Sequence, residues 1–196
     1  MWTHTRNAFV ACLLCLTIPI ADASAEAVTT EARNLIDKLG NEAVTILQSG
    51  DPPDGREKRL ESLLRNGFDF DFIGRFVLGQ YWNRITPAQR DEYRQVFPDF
   101  VVQTYARQLA NETVTGFEIK STRETSDHDV IVETLIGRPK GSSLKYSWRV
   151  RGDKIVDVLV EEVSLLVSKR ADFTSVVQRD GIDGLIASLK QKLQQS

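Results

Sequence analysis

Asp157 is the residue best placed to do chemistry in this chain. It lies within an apolar strand-like run, Ile155 to Val163, and a carboxylate held in an apolar cavity can act as a general base. No second acid or base accompanies it in the pattern. The plainer alternatives are an outward-facing carboxylate beside Glu161, or an ion pair with Arg149 or Arg151 on the neighbouring strand. The other reactive types are weaker still. His128 sits in Ser126-Asp127-His128-Asp129, a polar turn in which a lone imidazole lacks converging metal ligands. Ser164 has no histidine base in pattern and reads as a helix cap. Asp69-x-Asp71 with Gly74 has the look of a calcium loop, but Ile73 and Gln80 fall at positions that must carry oxygen ligands. Nothing here calls for a cofactor or a metal, and no phosphate loop is present, so the pattern serves catalysis poorly.

The elements around these residues follow an order of helices, strands, then helices. Thr29 or Thr30 can cap a first helix whose Ala32, Leu35, Ile36, Leu39, Ala43, Ile46 and Leu47 share one face. Gly50-Asp51-Pro52-Pro53 breaks it. A charged helix with Leu60, Leu63 and Leu64 as its apolar face follows, then a short one presenting Phe72, Ile73, Phe76 and Val77. Thr86, Pro87 and Gln89 spell out a capping box for a long helix to about Leu109, with a kink expected at Pro98. From Thr113 the period becomes two. Leu144, Tyr146, Trp148 and Val150 alternate with Lys145, Ser147, Arg149 and Arg151, as in a strand with one dry and one wet face. Val130 to Ile136 and Ile155 to Val163 are companion strands. Two helices close the chain. Helices segregated around an antiparallel sheet of about four strands make the fold class α+β.

Residues 1–25 read as a secretory signal peptide, with Arg6, an apolar run from Ala8 to Ile20, and Ala23-Ser24-Ala25 as cleavage site. The run is shorter than the roughly 20 residues needed to span a bilayer. Cys12 and Cys15 lie within it, leaving residues 26–196 without cysteine and so without disulfide or thiolate chemistry. Those residues are expected to form a single domain: 26–110 mainly helical, 111–163 antiparallel sheet, 164–196 C-terminal helices. A net charge of −2 argues against nucleic-acid binding and against a polybasic membrane anchor.

The most distinctive stretch joins a glycine-broken aromatic turn to the long helix, where Tyr93, Val96, Phe97, Phe100, Val101, Thr104 and Tyr105 recur at helical spacing. Such a stripe covers either a protein core or a lipid. Val77-Leu78-Gly79-Gln80-Tyr81-Trp82, Thr86-Pro87-Ala88-Gln89-Arg90, Phe97 and Tyr105-Ala106 resemble the signature of the MlaC, or toluene-tolerance, family of periplasmic phospholipid carriers. Asp157 to Ser164 and Gly181-Ile182-Asp183-Gly184-Leu185 resemble the family's second block, except that Glu162 stands where glycine is usual. Either the backbone there differs or the turn is relaxed. Val101-Val102 and Trp148-Arg149-Val150-Arg151 are similar to a branch associated with hopanoid synthesis.

The resemblance implies a curved, nuclear-transport-factor-2-like (NTF2-like) sheet with helices over its concave face. It implies a soluble periplasmic carrier that shuttles phospholipid, or a hopanoid-like lipid, between membranes. The partners implied are an inner-membrane MCE-type ABC transporter and an outer-membrane lipoprotein complex. Expected cavity residues are Ile73, Val77, Tyr81, Phe97, Val101 and Tyr105 from helices, with Tyr146, Trp148, Val160, Val163 and Leu166 from the sheet and its exit. An enzyme of the cone-shaped fold using Asp157 as base, and an adaptor with a side-chain-filled interior, are the rival readings.

Overall fold

The computed structural model describes residues 20–195, with side chains from Glu26 onward. The expected signal segment therefore lies outside the residues whose side chains are described. Five helices and five strands follow in the order α1 (Ile20–Leu47), α2 (Pro53–Gly67), α3 (Phe70–Leu78), α4 (Pro87–Ala110), β1 (Gly116–Glu124), β2 (Val130–Gly137), β3 (Ser143–Arg151), β4 (Lys154–Val160), β5 (Val163–Ser164) and α5 (Leu165–Gln194). The fold is α+β.

Local chemistry explains most boundaries. The Thr86 hydroxyl accepts from Gln89 N at 3.2 Å while Thr86 N donates to Gln89 Oε1 at 3.0 Å, closing the capping box of α4. Asp69 caps α3 by accepting from Phe72 N at 2.9 Å. At its C-terminus Gly79 takes φ +53°, a backbone conformation that favours glycine, and a Cβ there would lie 2.8 Å from the Arg170 guanidinium, which would have to shift. One expectation is corrected. Helix α1 extends back past Thr29 and Thr30, so neither caps it; the Thr29 hydroxyl instead donates to Glu26 O within the helix. Helix α4 continues through Pro98, where the expected kink would fall, because the missing N–H leaves the Arg94 carbonyl without its intrahelical donor. The two closing helices form one element interrupted at Gly181, where φ is +72°.

The sheet is an antiparallel meander in chain order, with Trp148 flanked by Val132 and Val158. Its α1-facing side packs Val130, Val132, Tyr146, Trp148, Val150 and Val158 against Ala32, Leu35, Ile36 and Leu39. The opposite side carries a charged cluster. Asp129, fully buried, accepts from Arg149 Nε at 2.6 Å and from Arg151 Nε at 2.6 Å.

Two further apolar clusters complete the interior. Ile46, Leu60, Ala106 and Ala110 join the C-terminal parts of α1 and α4 to the middle of α2. A separate aromatic core unites α3, α4 and α5: Tyr93 stacks on Phe97 at 5.2 Å, and Phe97 meets Phe173 edge-on at 6.0 Å. Tyr93 donates its hydroxyl to Gly74 O at 3.2 Å, and burial pushes its pKa well above the ordinary phenol value.

Candidate functional site

A cavity of about 130 Å³ lies where the sheet-side cluster meets the cluster of α1, α2 and α4. From α1 it is bounded by Ile36, Leu39, Gly40, Ala43 and Leu47, and from α2 by Leu60, Leu63 and Leu64. Phe117, Ile136, Tyr146, Trp148 and Ile155 form its floor on the sheet, with Phe68 and Leu109 closing the sides. The helices reach this position because α1 lies across β1 and β2 while α2 packs on α4. The close approach of α1 to the sheet needs Gly40, since a Cβ there would fall 2.4 Å from Phe117 Cζ.

The wall offers water almost nothing. Trp148 Nε1, the polar atom of its ring, already donates to Thr134 Oγ1 at 2.9 Å. An apolar space of this size can admit an apolar guest, as an enclosed engineered cavity of about 150 Å³ binds benzene. Polar groups gather at one end only. There Arg138 donates to Glu112 Oε2 at 3.4 Å, beside Tyr146, whose phenol pKa is raised by burial against the opposing influence of Arg138.

A model of the MlaC protein family matches residues 37–191. The chain belongs to the MlaC family. Among its relatives, the intermembrane phospholipid transport system binding protein MlaC of Haemophilus influenzae is 26% identical over 149 residues, covering 69% of each chain. Among solved structures, a phospholipid-binding protein from Ralstonia solanacearum, determined in complex with a phospholipid, aligns with a TM-score of 0.67 at 23% identity. That alignment covers 86% of this chain and 97% of the other, and it shows a shared fold.

In this MlaC-family chain the expected cavity residues fall into separate places. Tyr146 and Trp148 line the cavity. Val77, Phe97 and Leu166 are buried in the aromatic core, with Ile73, Tyr81 and Val101 packed against it. Tyr105 is half-buried, with Lys169 and Asp172 of α5 in its electrostatic neighbourhood. Val160 packs into the sheet-side cluster without reaching the cavity. Val163, at 60% exposure, points to solvent. The leucines of α1 and α2, which sequence reasoning treated only as helix faces, supply most of the wall. Their one signal was an excess of apolar helix stripes, two of them on neighbouring helices.

The reactive residues also find their places. Asp157 is buried, and its carboxylate accepts from Val158 N, Leu166 N and the Ser164 hydroxyl at 2.8, 3.1 and 2.7 Å. It neither faces outward nor pairs with Arg149 or Arg151, because Asp129 holds both arginines. It anchors the start of α5, and Ser164 completes that start by accepting from Val167 N at 3.0 Å. His128 is exposed in its turn and contacts Glu124 at 2.8 Å. Asp71 pairs with Arg94. Among the described residues no group of three or more His, Cys, Asp or Glu side chains is arranged to hold a metal. No described helix is long and apolar enough to cross a membrane.

At the departure from the family pattern, Glu161 and Glu162 adopt φ +47° and +71° and form a two-residue turn between β4 and β5. The turn is left-handed although glycine is absent. Lys145 braces it, donating from N to Glu161 Oε1 at 2.7 Å and from Nζ to Glu162 Oε1 at 2.8 Å.

Proposed function

We propose that this protein is a non-enzymatic periplasmic phospholipid carrier whose acyl-chain site is the cavity between the sheet and helices α1 and α2. The observation that carries this reading is a wall built from leucine, isoleucine and aromatic side chains with its charged groups confined to one end. Each buried methylene contributes about 0.8 kcal/mol, so two long chains prefer hydrocarbon to water by roughly 20 kcal/mol. A carrier crossing water must therefore offer surroundings nearly as apolar as the bilayer.

The unoccupied volume is smaller than a pair of acyl chains. Loading widens it, with α1 and α2 moving away from the sheet while the aromatic core of α3, α4 and α5 stays packed. Leucine-lined surfaces suit such movement, because they re-form equivalent contacts without polar groups that must find new partners. The membrane partners the family resemblance implies, an MCE-type ABC transporter on one side and an outer-membrane lipoprotein complex on the other, would supply the energy and the direction of transfer. The relative named for phospholipid transport and the neighbour solved with a phospholipid support this assignment.

The test is native mass spectrometry with organic extraction on protein purified from the periplasm without detergent. A stoichiometric phospholipid is expected. Protein that is empty, and stays empty after incubation with liposomes of bacterial lipid extract, overturns the reading. A hopanoid in place of a phospholipid would keep the carrier and change the cargo.

A further inference from the structure

Among the described residues lining the cavity, only Glu112 and Arg138 carry charge. They sit on two loops that meet at one edge. Glu112 follows α4 and Arg138 follows β2, and Thr115 N donates to Gly137 O at 2.9 Å between them. Both side chains are 38% exposed, whereas Ile36, Leu60 and Ile155 at the deep end are almost fully buried. The charged pair therefore marks the wet end of an otherwise apolar site. The Arg138 backbone N–H donates to Ser142 O at 2.8 Å, which pins the base of its loop, and the guanidinium reaches Glu112 and the Tyr146 phenol. Its contact with Glu112 is long at 3.4 Å and half in water, the kind of pair that contributes little and exchanges readily.

A guanidinium presents a planar fork of donors that matches two oxygens of a phosphate. Tyr146 adds a phenolic hydroxyl beside it, on the cavity floor. We infer that Arg138 binds the phosphodiester of a lipid whose chains fill the cavity, with Glu112 holding the guanidinium until the lipid arrives. Glu112 is the ligand's competitor, and Arg138 is the residue that separates phosphate-bearing lipids from neutral ones of equal chain length. This rests on the carrier reading. Chain burial supplies affinity common to both lipid classes, and the guanidinium supplies the difference.

The experiment loads the full chain from vesicles mixing dioleoylphosphatidylethanolamine with dioleoylglycerol and counts bound lipids by native mass spectrometry. Arg138→Gln is expected to lower the ratio of bound phospholipid to diacylglycerol about tenfold, the worth of a lost charge-assisted contact. Arg138→Lys should restore part of it, and Glu112→Gln should raise it above wild type. Because both side chains are half-exposed, circular dichroism melts should match wild type. If Arg138→Gln nevertheless fails to fold, Glu112→Gln decides alone, and an unchanged ratio there overturns the inference. Wild type that takes up both lipids with a ratio indifferent to Arg138 overturns the head-group assignment and leaves the carrier standing. Wild type that takes up neither overturns the carrier reading itself. Millimolar inorganic phosphate should leave the wild-type ratio unmoved; a ratio that phosphate abolishes points to a free-anion site and overturns the lipid assignment.

Discussion

Ser164 donates its hydroxyl to the Asp157 carboxylate at 2.7 Å, joining the penultimate strand to the first turn of α5. With Val158 N and Leu166 N donating to the other oxygen, the carboxylate is spent on three donors and faces no substrate-sized space. A general base needs a free lone pair aimed at a proton to be removed. Asp157 is a helix anchor.

Asp157→Asn is accordingly expected to lower stability by about 1–3 kcal/mol, as buried hydrogen bonds to a charged acceptor weaken. Thermal melting checks this. Lipid uptake from vesicles by the folded fraction should match wild type, and a selective loss of uptake would show that Asp157 acts at the ligand.

Acid should find the fold's weak point at Asp129. Burial alone would raise its pKa, but hydrogen bonds from Arg151 and Arg149 outweigh this and hold it below the ordinary 3.8. A depressed folded-state value means the carboxylate stabilises the protein above the unfolded pKa, and that contribution is lost as pH falls through the folded value. Melting temperature should therefore hold from neutral pH down to about 4 and fall below it. In Asp129→Asn the acid limb should flatten while the neutral plateau drops.

The Glu161-Glu162 turn carries left-handed backbone on two residues with Cβ atoms, which is disfavoured. Glu162→Gly removes that cost at one of the two positions, at the price of an exposed contact with Lys145. An upward shift in Tm on the order of 2 °C is expected by differential scanning fluorimetry; a fall would mean that the Lys145 contact governs the turn.

Two tryptophan substitutions separate cavity from core. Ala43→Trp adds an indole to the space beside Leu39 and Leu63, so folding should survive and phospholipid occupancy should drop. Leu166→Trp forces the same ring into the packed aromatic core, where overpacking costs about 1–3 kcal/mol or more, so Tm should fall. Paired melting and lipid extraction read both.

Much of this architecture was legible from residues that punctuate the chain. Thr86-Pro87-x-Gln89 announced α4, and the Tyr146, Trp148, Val150 alternation gave β3 and its dry face, including the two aromatics that reach the cavity. The remainder of the wall was not, because a leucine stripe reads the same whether its partner is another side chain or an empty volume. Leu39, Leu63 and Leu64 carry no mark of which it is. The aromatic stripe of α4 is ambiguous for the converse reason. Large rings look like a ligand surface, yet Phe97 finds Tyr93 and Phe173 within 6.0 Å and is buried among α3, α4 and α5. The early start of α1 was hidden by Thr29 and Thr30, which resemble caps in sequence but lie inside a helix that began before them.

The central claim concerns where the acyl chains lie, and photocrosslinking tests it most directly. A phosphatidylethanolamine bearing a diazirine along one chain would be loaded, irradiated, and the labelled peptides mapped by mass spectrometry. Adducts in the peptides containing Leu39, Leu63 and Trp148 are predicted. Adducts concentrated instead on Ile73, Phe97 and Val101 would move the lipid into the aromatic core and contradict the account.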